Sequence, residues 1–182
     1  MAKVRVLFAT GIAAWYALKL YGLGTWTWEQ SNQAGILWNL ACVTSIAALL
    51  GYIHRDEAVF LMRWKNVAKT TVLYSFLLSC SMGIWYYGIV PETIEQRKTE
   101  QLELLEAFVS DPEALADVQS TNTTLGRQSA DEIYAQQEAN LEVFFSPVFF
   151  IGTVLMVWIF TAAALAATFA AVMPKIWNER PE

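Results

Sequence analysis

Four long apolar runs constrain this chain more than any other feature. They are VLFATGIAAWYALKLYGLGTW at about residues 6–26, AGILWNLACVTSIAALLGYI at 34–53, TTVLYSFLLSCSMGIWYYGIV at 70–90, and VFFSPVFFIGTVLMVWIFTAAALAATFAAVM at 143–173. A helix rises about 1.5 Å per residue, so roughly 20 residues cross the hydrocarbon layer of a bilayer. Each run meets that length. In a soluble chain of 182 residues, four helices apolar on every face would have nothing to cover them. The expected fold is therefore all-α: an integral membrane four-helix bundle with transmembrane helices at about 6–26, 34–53, 70–90 and 147–173. The first run follows Lys3 and Arg5 as a signal peptide would, but it is long and has no A-x-A cleavage pattern, so it reads as a retained helix.

Charge sets the expected orientation. Lys3, Arg5, Arg55, Arg63, Lys65, Lys69, Lys175 and Arg180 flank the runs on one side, against Arg97, Lys98 and Arg127 on the other. Basic residues stay in the cytoplasm, which puts both termini there and residues 91–142 on the periplasmic or outer side. Trp26, Trp28, Trp38, Trp85, Tyr86 and Tyr87 would then form the outer aromatic belt, and Trp64 and Trp177 the inner one.

The segment at 91–142 carries twelve Asp or Glu and three basic residues, a net charge of about −9 that accounts for the acidic balance of the whole chain. Its pattern is helical. Leu102, Leu105, Phe108 and Val109 recur on one face, and Pro91 marks either a continuation of the third helix or a break before a new one. SDPE at 110–113 and SADE at 129–132 are capping boxes, while STNTTLG at 120–126 reads as a turn. The expectation is an extramembrane amphipathic helical hairpin between the third and fourth transmembrane helices. Asn122-Thr123-Thr124 matches a glycosylation sequon, a pattern that also arises by chance.

Few residues stand out as candidate sites. Lys19 is the one ionisable group well inside an apolar run; a charge at mid-bilayer costs about 2.5–3.5 kcal/mol. Two readings are open: its ammonium snorkels to the outer headgroups, or it contacts a lipid phosphate or a partner's carboxylate. The loop EAVFLMRWKNVAKT at 57–70 mixes Phe60, Leu61 and Trp64 with Arg63, Lys65 and Lys69, a combination suited to lying in the interface beside anionic lipid headgroups at the cytoplasmic face. His54 and Asp56 close the second run as an ordinary polar helix end, with Asp56 able to pair with Arg55 or Arg63. In the last run Ala163, Ala167 and Ala171 share one face, as do Ala162, Ala166 and Ala170. Small residues four apart let membrane helices pack closely, within the bundle or onto another membrane protein or a second copy. Cys42 and Cys80 fall in apolar runs and read as packed thiols.

Catalytic, nucleotide-binding and metal-ligand spacings are missing from the sequence, as is a basic patch for nucleic acid; no cofactor, metal or nucleic acid is expected. The runs carry no Asp or Glu of the kind that ion- and proton-coupled carriers use.

The layout resembles a family of small four-helix bacterial inner-membrane proteins catalogued as a domain of unknown function. The shared features are Arg55-Asp56 after the second run, Lys65 to Lys69 before the third, Pro91 opening a charged insert, and Ser146-Pro147-Val148-Phe149 opening the last helix. The glycine-containing turn frequent after the Arg-Asp pair is replaced here by EAVFLMRW. The resemblance implies a Gram-negative inner membrane and brings no catalytic residues. Taken together, the sequence points to a non-catalytic accessory, scaffold or assembly subunit. Its partner contacts would use Leu102, Leu105, Val109 and the face of Ala163, Ala167 and Ala171. A lipid-handling or envelope-biogenesis factor, with Lys19, Arg63, Lys65 and Lys69 as headgroup contacts, is the first alternative, and a small transporter or channel component using Lys19 or Asn39 the second.

Overall fold

Helix starts and stops follow local chemistry throughout the computed structural model, which describes residues 2–121 and 128–178. Over those residues the chain forms seven helices and no strand: α1 (Ala2–Gly22), α2 (Trp28–Ile53), α3 (Phe60–Ile84), α4 (Pro91–Ser110), α5 (Pro112–Thr121), α6 (Ala130–Phe144) and α7 (Pro147–Asn178). Three helices are long and apolar enough to cross a membrane: α2, α3 together with the turn that ends it, and α7. At 21 residues α1 has the length, but Lys3, Arg5 and Lys19 dilute its apolar character and it is not among those three.

Thr27 starts α2. Its hydroxyl accepts from the Gln30 N–H at 3.2 Å while the Gln30 side chain accepts from the Thr27 N–H at 3.0 Å, a reciprocal capping box. The polar residues 28–33, expected in a loop, are therefore the first turns of α2. Gly24, at φ 76°, supplies the left-handed turn before it. At the other end of α2 the connection is shorter than the sequence suggested. Residues 60–69, read as an interfacial loop, are the opening turns of α3. Pro91 stops α3: it has no N–H and its ring clashes with the carbonyl one turn back. The helix widens into a π-helical turn over Trp85–Ile89, closed by Val90 N–H to Trp85 O at 2.9 Å. Asp111, rather than Ser110, caps α5, its carboxylate accepting from Glu113 N at 3.0 Å and Ala114 N at 3.3 Å. Ser129 and Glu132 form the anticipated capping box of α6.

The chain divides into two compact units, residues 1–82 with 153–182, and residues 83–152. In the first, α1, α2, α3 and α7 share one apolar core that includes Val43, Ile46, Leu50, Val67, Leu78, Trp158, Ala162 and Ala166. Three hydroxyls that reach this interior are satisfied in place: Thr71, Ser75 and Ser79 each donate to the carbonyl four residues back, at 2.8, 3.1 and 2.9 Å. Helix α7 approaches through small residues. Ala162, Ala166 and Ala170 are fully buried, and a methyl group added at Gly51 of α2 would lie 3.1 Å from the Phe169 carbonyl oxygen.

In the second unit α4 packs against α5 and α6, burying Ile94 and Ile133. Lys98 and Glu142 pair at 3.5 Å, and the Tyr87 hydroxyl donates to Phe145 O at 2.9 Å. Tyr86 and Tyr87 both place their rings on Phe150. The sequon at 122–124 and Arg127 lie outside the described residues.

Overpacking the buried alanine face should be costly. Ala166→Leu is expected to destabilise the protein by about 1–3 kcal/mol, while Ala164→Leu, at an exposed position of the same helix, should be close to neutral. Reversible unfolding in mixed micelles reads both.

Candidate functional site

Lys19 stands in the last turn of α1 and is turned inward, with 3% of its surface exposed. Its ammonium donates to the Ser31 carbonyl at 2.9 Å, the Ser31 hydroxyl at 3.0 Å and the Asn32 side-chain oxygen at 3.3 Å. It also lies 5.6 Å from the centroid of the Trp15 ring. Gly35 makes room for this seat: a Cβ there would sit 3.1 Å from both Lys19 Cε and Trp15 Nε1. The capping box that starts α2 early is what brings Ser31 and Asn32 within reach. Within the structure the ammonium is turned to these acceptors, and Lys19 fastens α1 to α2.

The same device recurs across the first unit. Trp38 Nε1 donates to Gly11 O at 3.0 Å, the Tyr16 hydroxyl to Ser81 O at 3.1 Å, and Trp64 Nε1 to Ala163 O at 3.2 Å. Arg63 Nε donates to Ala170 O at 3.0 Å, and its guanidinium also donates to Glu57 O. These side chains each bond a main-chain carbonyl on another element.

Around the α2–α3 connection a second polar cluster closes. His54 Nδ1 and Glu57 Oε1 lie 2.7 Å apart, and Asn66 Nδ2 donates to both Glu57 oxygens at 2.8 and 3.1 Å. The His54 hydrogen bond, with further help from Asn66 and the nearby charges of His54 and Arg63, holds the Glu57 carboxyl below the usual carboxylate range. Arg55 stacks between the Tyr52 and Trp177 rings, 4.2 and 4.5 Å from their centroids, and pairs with Asp56 at 3.6 Å.

The remaining candidates separate. Arg63 is engaged internally, whereas Lys65 and Lys69 are exposed. Ala163 and Ala167 are half-buried and Ala171 is exposed; the fully buried stripe is its neighbour, Ala162, Ala166 and Ala170. Leu102, Leu105 and Val109 are half-buried within the second unit, while Leu104 is exposed. Cys42 and Cys80 are free thiols. Asn39 is fully buried, and neither atom of its amide group has a hydrogen-bond partner among the described residues. No group of three or more His, Cys, Asp or Glu among the described residues is placed to hold a metal ion. Sequence reasoning missed the Lys19 acceptors Ser31 and Asn32, although the T-x-x-Q spacing at 27–30 carried the signal. It also missed the Glu57–Asn66 contact, which spans nine residues and has no periodic signature. No protein-family model, curated protein or solved structure matches the chain.

Two outcomes follow from this geometry. Ser31→Ala combined with Asn32→Ala should cost about 1.5–3 kcal/mol more in the presence of Lys19 than in a Lys19→Met background, since only the former leaves a buried ammonium with the Ser31 carbonyl alone of its three acceptors; a double-mutant cycle on unfolding free energy measures the difference. For Glu57, a depressed folded-state pKa means that its contribution is present above the ordinary carboxylate range and is lost as pH falls through the folded value. Acid titration of stability should therefore show a loss in the wild type that Glu57→Gln reduces.

Proposed function

We propose that the protein is a non-catalytic accessory or assembly subunit of a membrane complex, built as a scaffold that displays its acidic helical unit to a partner. The observation that carries this reading is the use of polar side chains inside the first unit. Lys19, Trp38, Tyr16, Trp64 and Arg63 all bond main-chain carbonyls of other elements. Such bonds fix helices against one another, and they leave these groups committed to structure rather than to a substrate.

In this reading α1 joins α2, α3 and α7 as a fourth crossing helix, because the Lys19 ammonium is solvated locally by three neutral acceptors and the remaining α1 cations, Lys3 and Arg5, lie at its end. Residues 91–142 form a hairpin outside the membrane, both termini are cytoplasmic, and the likeness in layout to the inner-membrane family suggests a bacterial inner membrane. The excess of Lys and Arg on one set of connections, eight against three, supports the orientation. Partner contact falls to the second unit, where Leu104 is exposed on α4 between Glu103 and Glu106.

Purification of the native protein in mild detergent tests the proposal. A companion of fixed stoichiometry is expected, and Leu104→Glu should release it without altering the stability of the subunit. A stable monomer with no companion would contradict the reading.

A further inference from the structure

From Lys65 onward, one face of α3 changes chemistry in the order that a phospholipid does, cations first and then apolar side chains. Leu61, Lys65, Lys69 and Leu73 lie four residues apart and so line up on one side of the helix. All four are exposed, as are the flanking Phe60 and Met62 at the start of α3 and Phe76 and Leu77 one turn beyond Leu73. The two lysines thus stand between an exposed apolar first turn and the outward apolar stripe of Leu73, Phe76 and Leu77, on a helix long and apolar enough to cross a membrane.

The other charges near this end of α3 are accounted for. Arg63 is withdrawn to Ala170 O and Glu57 O, and Arg55 is stacked on Tyr52 and Trp177. Glu57 is held by His54 and Asn66. Among the described residues of the α2–α3 connection and the first turns of α3, the exposed charges are Asp56, Lys65 and Lys69. Both acids of the connection are engaged elsewhere, Glu57 by His54 and Asn66 and Asp56 by Arg55.

We infer that this face binds a phospholipid with an anionic headgroup, its phosphate between Lys65 and Lys69 and an acyl chain along Leu73, Phe76 and Leu77. The inference rests on α3 crossing the membrane and is independent of the partner proposed for the acidic unit. It also divides the four basic residues suggested by sequence: Lys65 and Lys69 meet lipid, while Lys19 and Arg63 hold the fold.

The test reconstitutes the full chain in mixed phosphatidylglycerol and phosphatidylcholine and measures which lipid remains bound after gentle detergent extraction. The wild type should retain phosphatidylglycerol preferentially. Each lysine near an anionic surface is worth about a five-fold preference, and the effect should weaken as salt screens it. Lys65→Gln with Lys69→Gln should remove most of the preference, and Lys65→Arg with Lys69→Arg should keep it. Lys98→Gln, in the second unit, should leave it unchanged. Equal retention by the Gln double variant, no preference in the wild type, or an equal loss in Lys98→Gln would each overturn the inference. Both exposed lysines can be changed without disturbing the core, and the unfolding midpoint confirms that the variants remain folded.

Discussion

Helices α2, α3 and α7 are long and apolar enough to cross a membrane, and that constraint organises the rest of the molecule. Where no solvent can satisfy an N–H or a C=O, the backbone must satisfy itself, and a helix is the local way to do so. Polar side chains meet the same demand. Thr71, Ser75 and Ser79 answer it by bonding their own helix. Lys19, Trp38, Tyr16 and Trp64 answer it by bonding another one. Apolar attraction between helices is weak in lipid, where the surroundings are as apolar as leucine. Fastening therefore falls to these bonds and to close approach at Gly35, Gly51 and the stripe of Ala162, Ala166 and Ala170. Asn39 is an exception, a buried amide whose demand is not met among the described residues.

The second unit follows different rules. Its helices are acidic; α4 begins with Pro91 as its first residue, and α5 and α6 begin at caps made by Asp111 and Ser129. Their burial is confined to a few residues such as Ile94 and Ile133. Tyr86, Tyr87 and Phe150 form an aromatic cluster within this unit, so aromatic residues that sequence placed in a membrane belt also serve as packing.

Much of this was legible in the residues. The apolar runs gave the helices their existence, and period and capping boxes gave α4 and α6. Boundaries were less legible, because hydropathy marks where lipid suits a helix, not where the helix ends. Residues 28–33 and 60–69 are polar or mixed, yet they are helical because Thr27 caps the first segment and nothing breaks the second. Lys19 shows the same limit at a site. Its isolation in an apolar run was plain, but its partners lie past a turn on the next helix, and only the fold brings Ser31 and Asn32 to it. Which alanine face would be buried was likewise open, since 162–166–170 and 163–167–171 are equally small.

Lipid is expected to cover the outward faces of the long apolar helices. Phe160, on α7, is 70% exposed and offers the most direct probe. A nitroxide carried at position 160 of the reconstituted protein should relax strongly with molecular oxygen and weakly with a water-soluble nickel chelate. Strong relaxation by the chelate and weak relaxation by oxygen would place that face in water and contradict the account.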